Sequence, residues 1–261
     1  MAEFSDDTQM SLFTAEGLLS AISEGNSGIR DIGSSIRAAY KNWYTTQTRV
    51  PDPMDNSWLT HISPLWSQRA PGMTCMSALH KISYGDVSAV SNDFKGCGGV
   101  MRVAPIGIFA AAHPTILDLE NAGNLAGYAA EITHKHPLSS YSSMALAMLI
   151  TEIITNEEID RDRLRYVIID RVFKPLGVRY PKDNDLANLF NLILIAMALA
   201  YLKRNDSECI AELGQGWVAE ETLAIAIFSV IRYILITLRS VSHALSIIVA
   251  TSILPEPWLE I

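Results

Sequence analysis

A chain of 261 residues, 49% hydrophobic and 18% charged, is long enough to bury a sizeable core, and we read it as one domain over 1–261. Its formal net charge of −8 speaks against a nucleic-acid backbone as the principal partner, since such binding depends on clustered Lys and Arg. Small phosphorylated ligands stay open, because backbone N–H groups and a single arginine can hold them.

Taken in chain order, the first predicted element is a helix that begins at Ser5-Asp6-Asp7-Thr8-Gln9-Met10 and continues through Phe13, Leu18, Leu19 and Ile22 at near-helical intervals. The acidic N-terminus lacks a positive n-region and an apolar h-region, so no secretory signal is expected. Val50 to Asn56, with two prolines, reads as a loop, and Arg69-Ala70-Pro71-Gly72 as a turn leading into an apolar helix start. Cys75, Cys97 and Cys209 form no CxxC spacing, which argues against a zinc knuckle or disulfide framework and for a reducing cytoplasm. Asp93 to Gly99 holds three glycines and reads as a loop, followed by helical patterns over Ile106 to Ala112, Leu125 to Ile132 and Ser143 to Ile154. Tyr166 to Val172 is β-branched and fits a helix or a strand. Breakers return at Pro175, Gly177 and Pro181, and a helix is predicted over Leu186 to Leu202. The apolar runs Leu189 to Leu202 and Leu223 to Leu238 are respectively shorter than the ~20 residues of a bilayer span and interrupted by Arg232, so both are read as buried core helices and no membrane partner is expected. The fold class predicted is all-α, an orthogonal packing of many helices.

Four segments carry chemistry. Asp6 and Asp7 with flanking hydroxyls supply the oxygen ligands that hard cations prefer, on a rigid helix start; the competing role is an N-terminal cap, which needs only one carboxylate. In the segment Asn92 to Gly107, which contains Gly96-Cys97-Gly98-Gly99-Val100-Met101-Arg102, the glycines let backbone N–H groups converge on an anion, and Arg102 can add a fork of donors; the competing reading is a flexible turn with a solvated Arg102. Thr133-His134-Lys135-His136-Pro137 places two histidines at i and i+2, off a common helix face, so a joint metal grip is not supported. With Pro137 ending a helix, these side chains either project into a cleft or complement the helix dipole. Gly214 to Ala224 reads as a turn entering a helix with an acidic first turn, Trp217 packing as a staple.

In this order, Ser-Asp-Asp-Thr-Gln-Met, Arg69 to Cys75, Lys95 to Pro105, Thr-His-x-His-Pro and Gly-Trp-Val-Ala-Glu-Glu together resemble the ADP-ribosylglycohydrolase family, from about Phe4 to Ala250. The resemblance implies an all-α enzyme that uses Mg²⁺ or Mn²⁺, two ions in intact relatives, to hydrolyse a glycosidic bond of ADP-ribose. It implies Ser5, Asp6 and Asp7 as metal ligands, with Asp6 and Asp7 the best catalytic candidates. It implies Gly98, Gly99, Val100, Met101, Arg102, Thr133, His134 and His136 as substrate contacts, and an ADP-ribosylated protein or a small ADP-ribose ligand as partner. Two departures stand out: only four residues precede Ser5, where relatives carry a further helix, and no Gly-Gly-Asp element follows the helix expected over 244–250. The chain instead reads Thr251 to Pro257, the last aspartate is Asp206, and Glu256 and Glu260 are the nearby acids. A domain incomplete at both ends, with a frameshifted tail, is one expectation. A catalytically impaired ADP-ribose-binding or protein-interaction module is the alternative to a working hydrolase.

Overall fold

The computed structural model describes residues 5–26, 28–51, 57–85, 91–156 and 159–237. The helix expected over 244–250, the tail with Glu256 and Glu260, and most of the Val50–Asn56 loop lie outside them. The fold is all-α, and among the described residues the one β-type pairing is an isolated antiparallel bridge between Gly96 and Val218.

Helices α1 (Asp6–Ser23) and α2 (Ile29–Thr48) form a hairpin. Gly17 permits their close approach, because a Cβ there would sit 2.5 Å from the Cα of Ile36. Leu19 points outward, while Phe13 and Leu18 join Ile36, Tyr40 and Trp43 in the first core. After two 3-10 turns, Trp58–His61 and Ser63–Trp66, the chain enters α3 (Met73–Ser83) through the predicted turn, with Ala70 left-handed at φ 53° and Gly72 as N-cap.

A short 3-10 turn (Val100–Arg102) leads to α4 (Ala104–Ala112), followed by α5 (Leu119–Glu131) and α6 (Pro137–Thr155). Pro137 was expected to end a helix. It begins one instead: proline lacks the N–H that the first helical position does not use, and His136 caps the start by accepting from Leu138 N at 3.1 Å. Helix α6 divides the two apolar clusters. Ala147 faces the first, and Met144, Met148 and Leu149 face the second, which α7 (Arg161–Tyr166), α8 (Lys174–Arg179), α9 (Asn184–Tyr201), α10 (Asp206–Leu213) and α11 (Ala219–Thr237) help enclose.

The ambiguous β-branched stretch is helical: Asp160 caps α7 by accepting from Arg163 N at 2.7 Å, and the helix runs on through a π segment (Val167–Phe173) into α8. The wider turn lets Val167, Ile168, Val172 and Phe173 all reach the core. Among the described residues two helices, α6 and α9, are long and apolar enough to cross a membrane; α6 is mostly buried within the protein. Helix α9 departs from the expected buried core helix, since Leu194, Ile195 and Tyr201 are exposed beside its buried Leu189, Ile193 and Ala196 stripe.

Candidate functional site

The acidic pair at the start of α1 lies beside the turn before α3 and close to Cys97 of the glycine turn, which in turn meets the histidine link and the entry to α11. Ser5 is its N-cap residue, yet its hydroxyl donates to Asp7 Oδ2 at 2.9 Å and makes no cap bond. Asp6 Oδ2 accepts from Gly72 N at 3.3 Å, which ties the turn before α3 to the acidic pair. Both carboxylates are half-buried. Burial, reinforced by the neighbouring Asp7 charge, pushes Asp6 up to about 6 against the opposing Gly72 N–H, and burial likewise raises Asp7 against the Ser5 hydroxyl. Thr8 Oγ1 is buried with no hydrogen-bond partner. Cys97 lies close enough that burial and the charges of Asp7 and Asp6 raise its thiol to about 11, so it is a thiol at neutral pH.

The glycine turn is anchored from three sides. Its backbone pairs with the entry to α11, Cys97 N donating to Trp217 O at 3.0 Å and Ala219 N to Lys95 O at 2.8 Å. Lys95 forms an ion pair with Glu220. Asn92 bonds the α5–α6 link, donating to Thr133 O at 2.9 Å and accepting from Lys135 N at 3.1 Å. Glycine is required here by crowding behind the turn: a Cβ on Gly98 would come within 2.9 Å of His134 Cε1 and 3.1 Å of Cys75 Sγ, and one on Gly99 would collide with Ser139 Oγ. Val100 is buried, and Met101, partly buried, accepts from Ser11 Oγ at 3.4 Å through its carbonyl.

Arg102 is not placed as expected. Its side chain is wholly buried, turned away from solvent, and its guanidinium donates to Ala129 O at 2.8 Å and Thr133 Oγ1 at 2.7 Å. It approaches Met10 and Cys75 sulfur at 3.5 Å and stacks 4.3 Å from the Tyr40 ring centroid. The planar fork finds carbonyl, hydroxyl and aromatic partners inside, so it knits α1, α2, α3 and α5 behind the turn and is not presented to a phosphate. Trp217 is likewise corrected: it is 67% exposed, held by its backbone, and does not pack as a staple. The start of α11 is closed by Glu221, which accepts from Gln215 N and Gly216 N.

Thr133 Oγ1 accepts from Arg102 and lies 2.8 Å from His134 Nδ1, the nearest acceptor for its own proton, and we assign that proton to Nδ1. His134 therefore carries its proton on Nε2, and the Cε1–Nε2 edge faces Gly96 and Gly98. Burial, helped by the Arg102 charge, holds its pKa at about 3. We expect the neutral Nε2–H form to persist from neutral pH down to about 4 in imidazole nitrogen chemical shifts, and Thr133→Val to disturb it. A titration near the ordinary 6.5 would contradict the assignment. His136 is half-buried, its Nδ1 spent on the cap of α6, so its Nε2 also bears the proton.

Sequence alone assigns no role to Asn92, whose side chain ties the glycine turn to the α5–α6 link, to Ser139, whose hydroxyl crowds Gly99, or to Gln9, which is fully buried. For Gln9 a signal existed: it stands inside the acidic hexapeptide.

The all-α fold gathers an acidic helix start, a glycine turn and a histidine link into one site. The family model for ADP-ribosylglycohydrolase matches residues 1–252, so the chain belongs to that family, whose members are generally hydrolytic. No match was found among curated proteins or among solved structures.

Proposed function

We propose that this protein hydrolyses an ADP-ribosyl glycosidic bond, in an ADP-ribosylated protein or a related ADP-ribose compound, with Mg²⁺ or Mn²⁺ at Ser5, Asp6 and Asp7. The observation that carries the reading is the half-buried carboxylate pair, raised in pKa and set beside the glycine turn. Two carboxylates and a hydroxyl are an all-oxygen donor set of the kind hard divalent cations take, and the buried Thr8 hydroxyl without a partner adds a fourth oxygen-bearing group nearby. Among the described residues no group of three or more His, Cys, Asp or Glu gathers at one point, so this pair is the whole described acidic contribution.

When bound, such a cation supplies Lewis acidity toward ribose oxygens and acidifies water. The chain's own residues then act by placement. Asp6 and Asp7 hold negative charge on a rigid helix start, where it also offsets the positive charge that builds on the ribose as the bond breaks. The turn at Gly98 and Gly99 offers backbone to the diphosphate, backed by the neutral N–H of His134, and His136 borders the same link. Arg102 and Thr133 serve by fixing His134. The three cysteines are free, which suits the reducing cytoplasm we assign to the protein.

A binding module without turnover is the second reading, favoured by there being only this one acidic pair, and no cluster of three or more His, Cys, Asp or Glu, among the described residues. Release of ADP-ribose from a modified protein, measured with Mn²⁺ and with a chelator, tests both. Cation-dependent release supports the hydrolase. A rise in thermal midpoint with ADP-ribose but no release under either condition supports the module.

A further inference from the structure

We propose that Gln9 is a positioning residue for the acidic pair, setting Asp6 for a divalent cation through the Ser67–Gly72 segment; this rests on the cation reading above. Gln9 is fully buried on α1, one helical turn beyond Asp6. Its Oε1 accepts from Trp43 Nε1 at 3.0 Å and from Gln47 Nε2 at 3.2 Å, both on α2. Two donors on one oxygen fix which way the carboxamide points, so Nε2 is the atom that meets Ser67 O at 2.9 Å. Five residues later, Gly72 N donates to Asp6 Oδ2. Asp6 and Gln9 thus hold the two ends of one short segment, and α1 closes the ring. Gln68 Nε2, donating to Gln47 O at 2.8 Å, ties the middle of that segment to α2. The ring makes the Gly72 N–H a fixed donor to Asp6 Oδ2 and so helps set the orientation of the carboxylate.

The test uses the full chain with Mn²⁺ alone as probe, titrated calorimetrically, and amide exchange at Gly72 in the metal-free protein. Gln9→Met keeps volume and removes the donor; it is expected to weaken Mn²⁺ about 10–100-fold, as loss of groups that orient metal ligands does. Gly72→Pro deletes the N–H at a backbone conformation proline accepts, φ −60° and ψ 130°, and is expected to weaken Mn²⁺ similarly, with Gly72→Ala binding more tightly than Gly72→Pro. Because both changes act through one hydrogen bond, the double variant should be no weaker than the worse single. Gly72 exchange should speed up in metal-free Gln9→Met. Wild-type Mn²⁺ affinity or unchanged Gly72 exchange in a folded Gln9→Met overturns the proposal, as does full additivity. If Gln9→Met does not fold, Trp43→Phe, which removes one of the two donors that fix the carboxamide, is read in its place. Failure of the wild-type protein to bind Mn²⁺ overturns the cation reading, while the metal-free exchange measurement still decides the positioning of Gly72.

Discussion

Replacing Asp6 and Asp7 together by asparagine is expected to abolish cation-dependent release of ADP-ribose and, in the same variant, to stabilise the metal-free protein at neutral pH. The two effects have one origin. Desolvation and mutual repulsion raise the Asp6 pKa from 3.8 to about 6, so at pH 7 the folded state carries a charge it holds unfavourably. The folded apo-protein binds the extra proton more readily than the unfolded chain, and therefore gains stability as pH falls through the window from about 6 to 3.8. His134 works the other way: its folded pKa lies near 3 against 6.5, so its contribution is full above 6.5 and is lost as pH falls toward 3. In chelator, wild-type stability should thus change little between about pH 6 and 3.8, where the two groups offset one another, whereas the Asn variant should lose stability steadily on acidification. A cation at 100 times its Kd stabilises the folded state by about 2.7 kcal/mol. That raises the wild-type thermal midpoint by roughly 5–10 °C, a rise the double variant should lack. Equal stabilisation of both proteins by Mn²⁺ would remove these carboxylates from the cation site.

Why the acidic pair was legible and its surroundings were not follows from range. Ser5 to Thr8 and the glycine turn announce themselves by composition within a few residues, and most helix positions follow from local periodicity. The supporting shell is built from contacts between residues far apart in the chain, as with Asn92 and Thr133 or Gln9 and Ser67, and these leave no local pattern. Arg102 shows the limit most clearly. An arginine after glycines suggests an anion site, and only tertiary structure reveals that its donors are spent on Ala129 and Thr133. The same holds for Pro137, whose helix lies after it and not before. Local grammar permits both directions, and packing of the Ser-rich α6 start against Gly99 and Ala130 selects one.

The largest stability effect is expected at Arg102, and the ranking of its replacements distinguishes a buried organiser from a solvated ligand contact. Arg102→Ala removes two charge-assisted hydrogen bonds and opens a cavity between α1, α2 and α5, a loss of about 3–5 kcal/mol. For a chain of this size that lowers the thermal midpoint by roughly 10 °C. Arg102→Lys is expected to be worse than Arg102→Met, although it keeps the charge. A lysine ammonium cannot reach Ala129 O and Thr133 Oγ1 as a planar fork while stacking on Tyr40, and it would be buried with its donors short of partners, whereas methionine carries no charge to desolvate. Each replacement leaves Thr133 without the donor that commits its proton to His134. Met and Ala, which also remove the nearby positive charge, should let the His134 pKa rise, and imidazole nitrogen shifts recorded on the same samples would show it. A solvated phosphate contact predicts the reverse order, Lys milder than Met and little change in midpoint for either. Thermal unfolding of the three variants in chelator therefore separates the two roles without any ligand present.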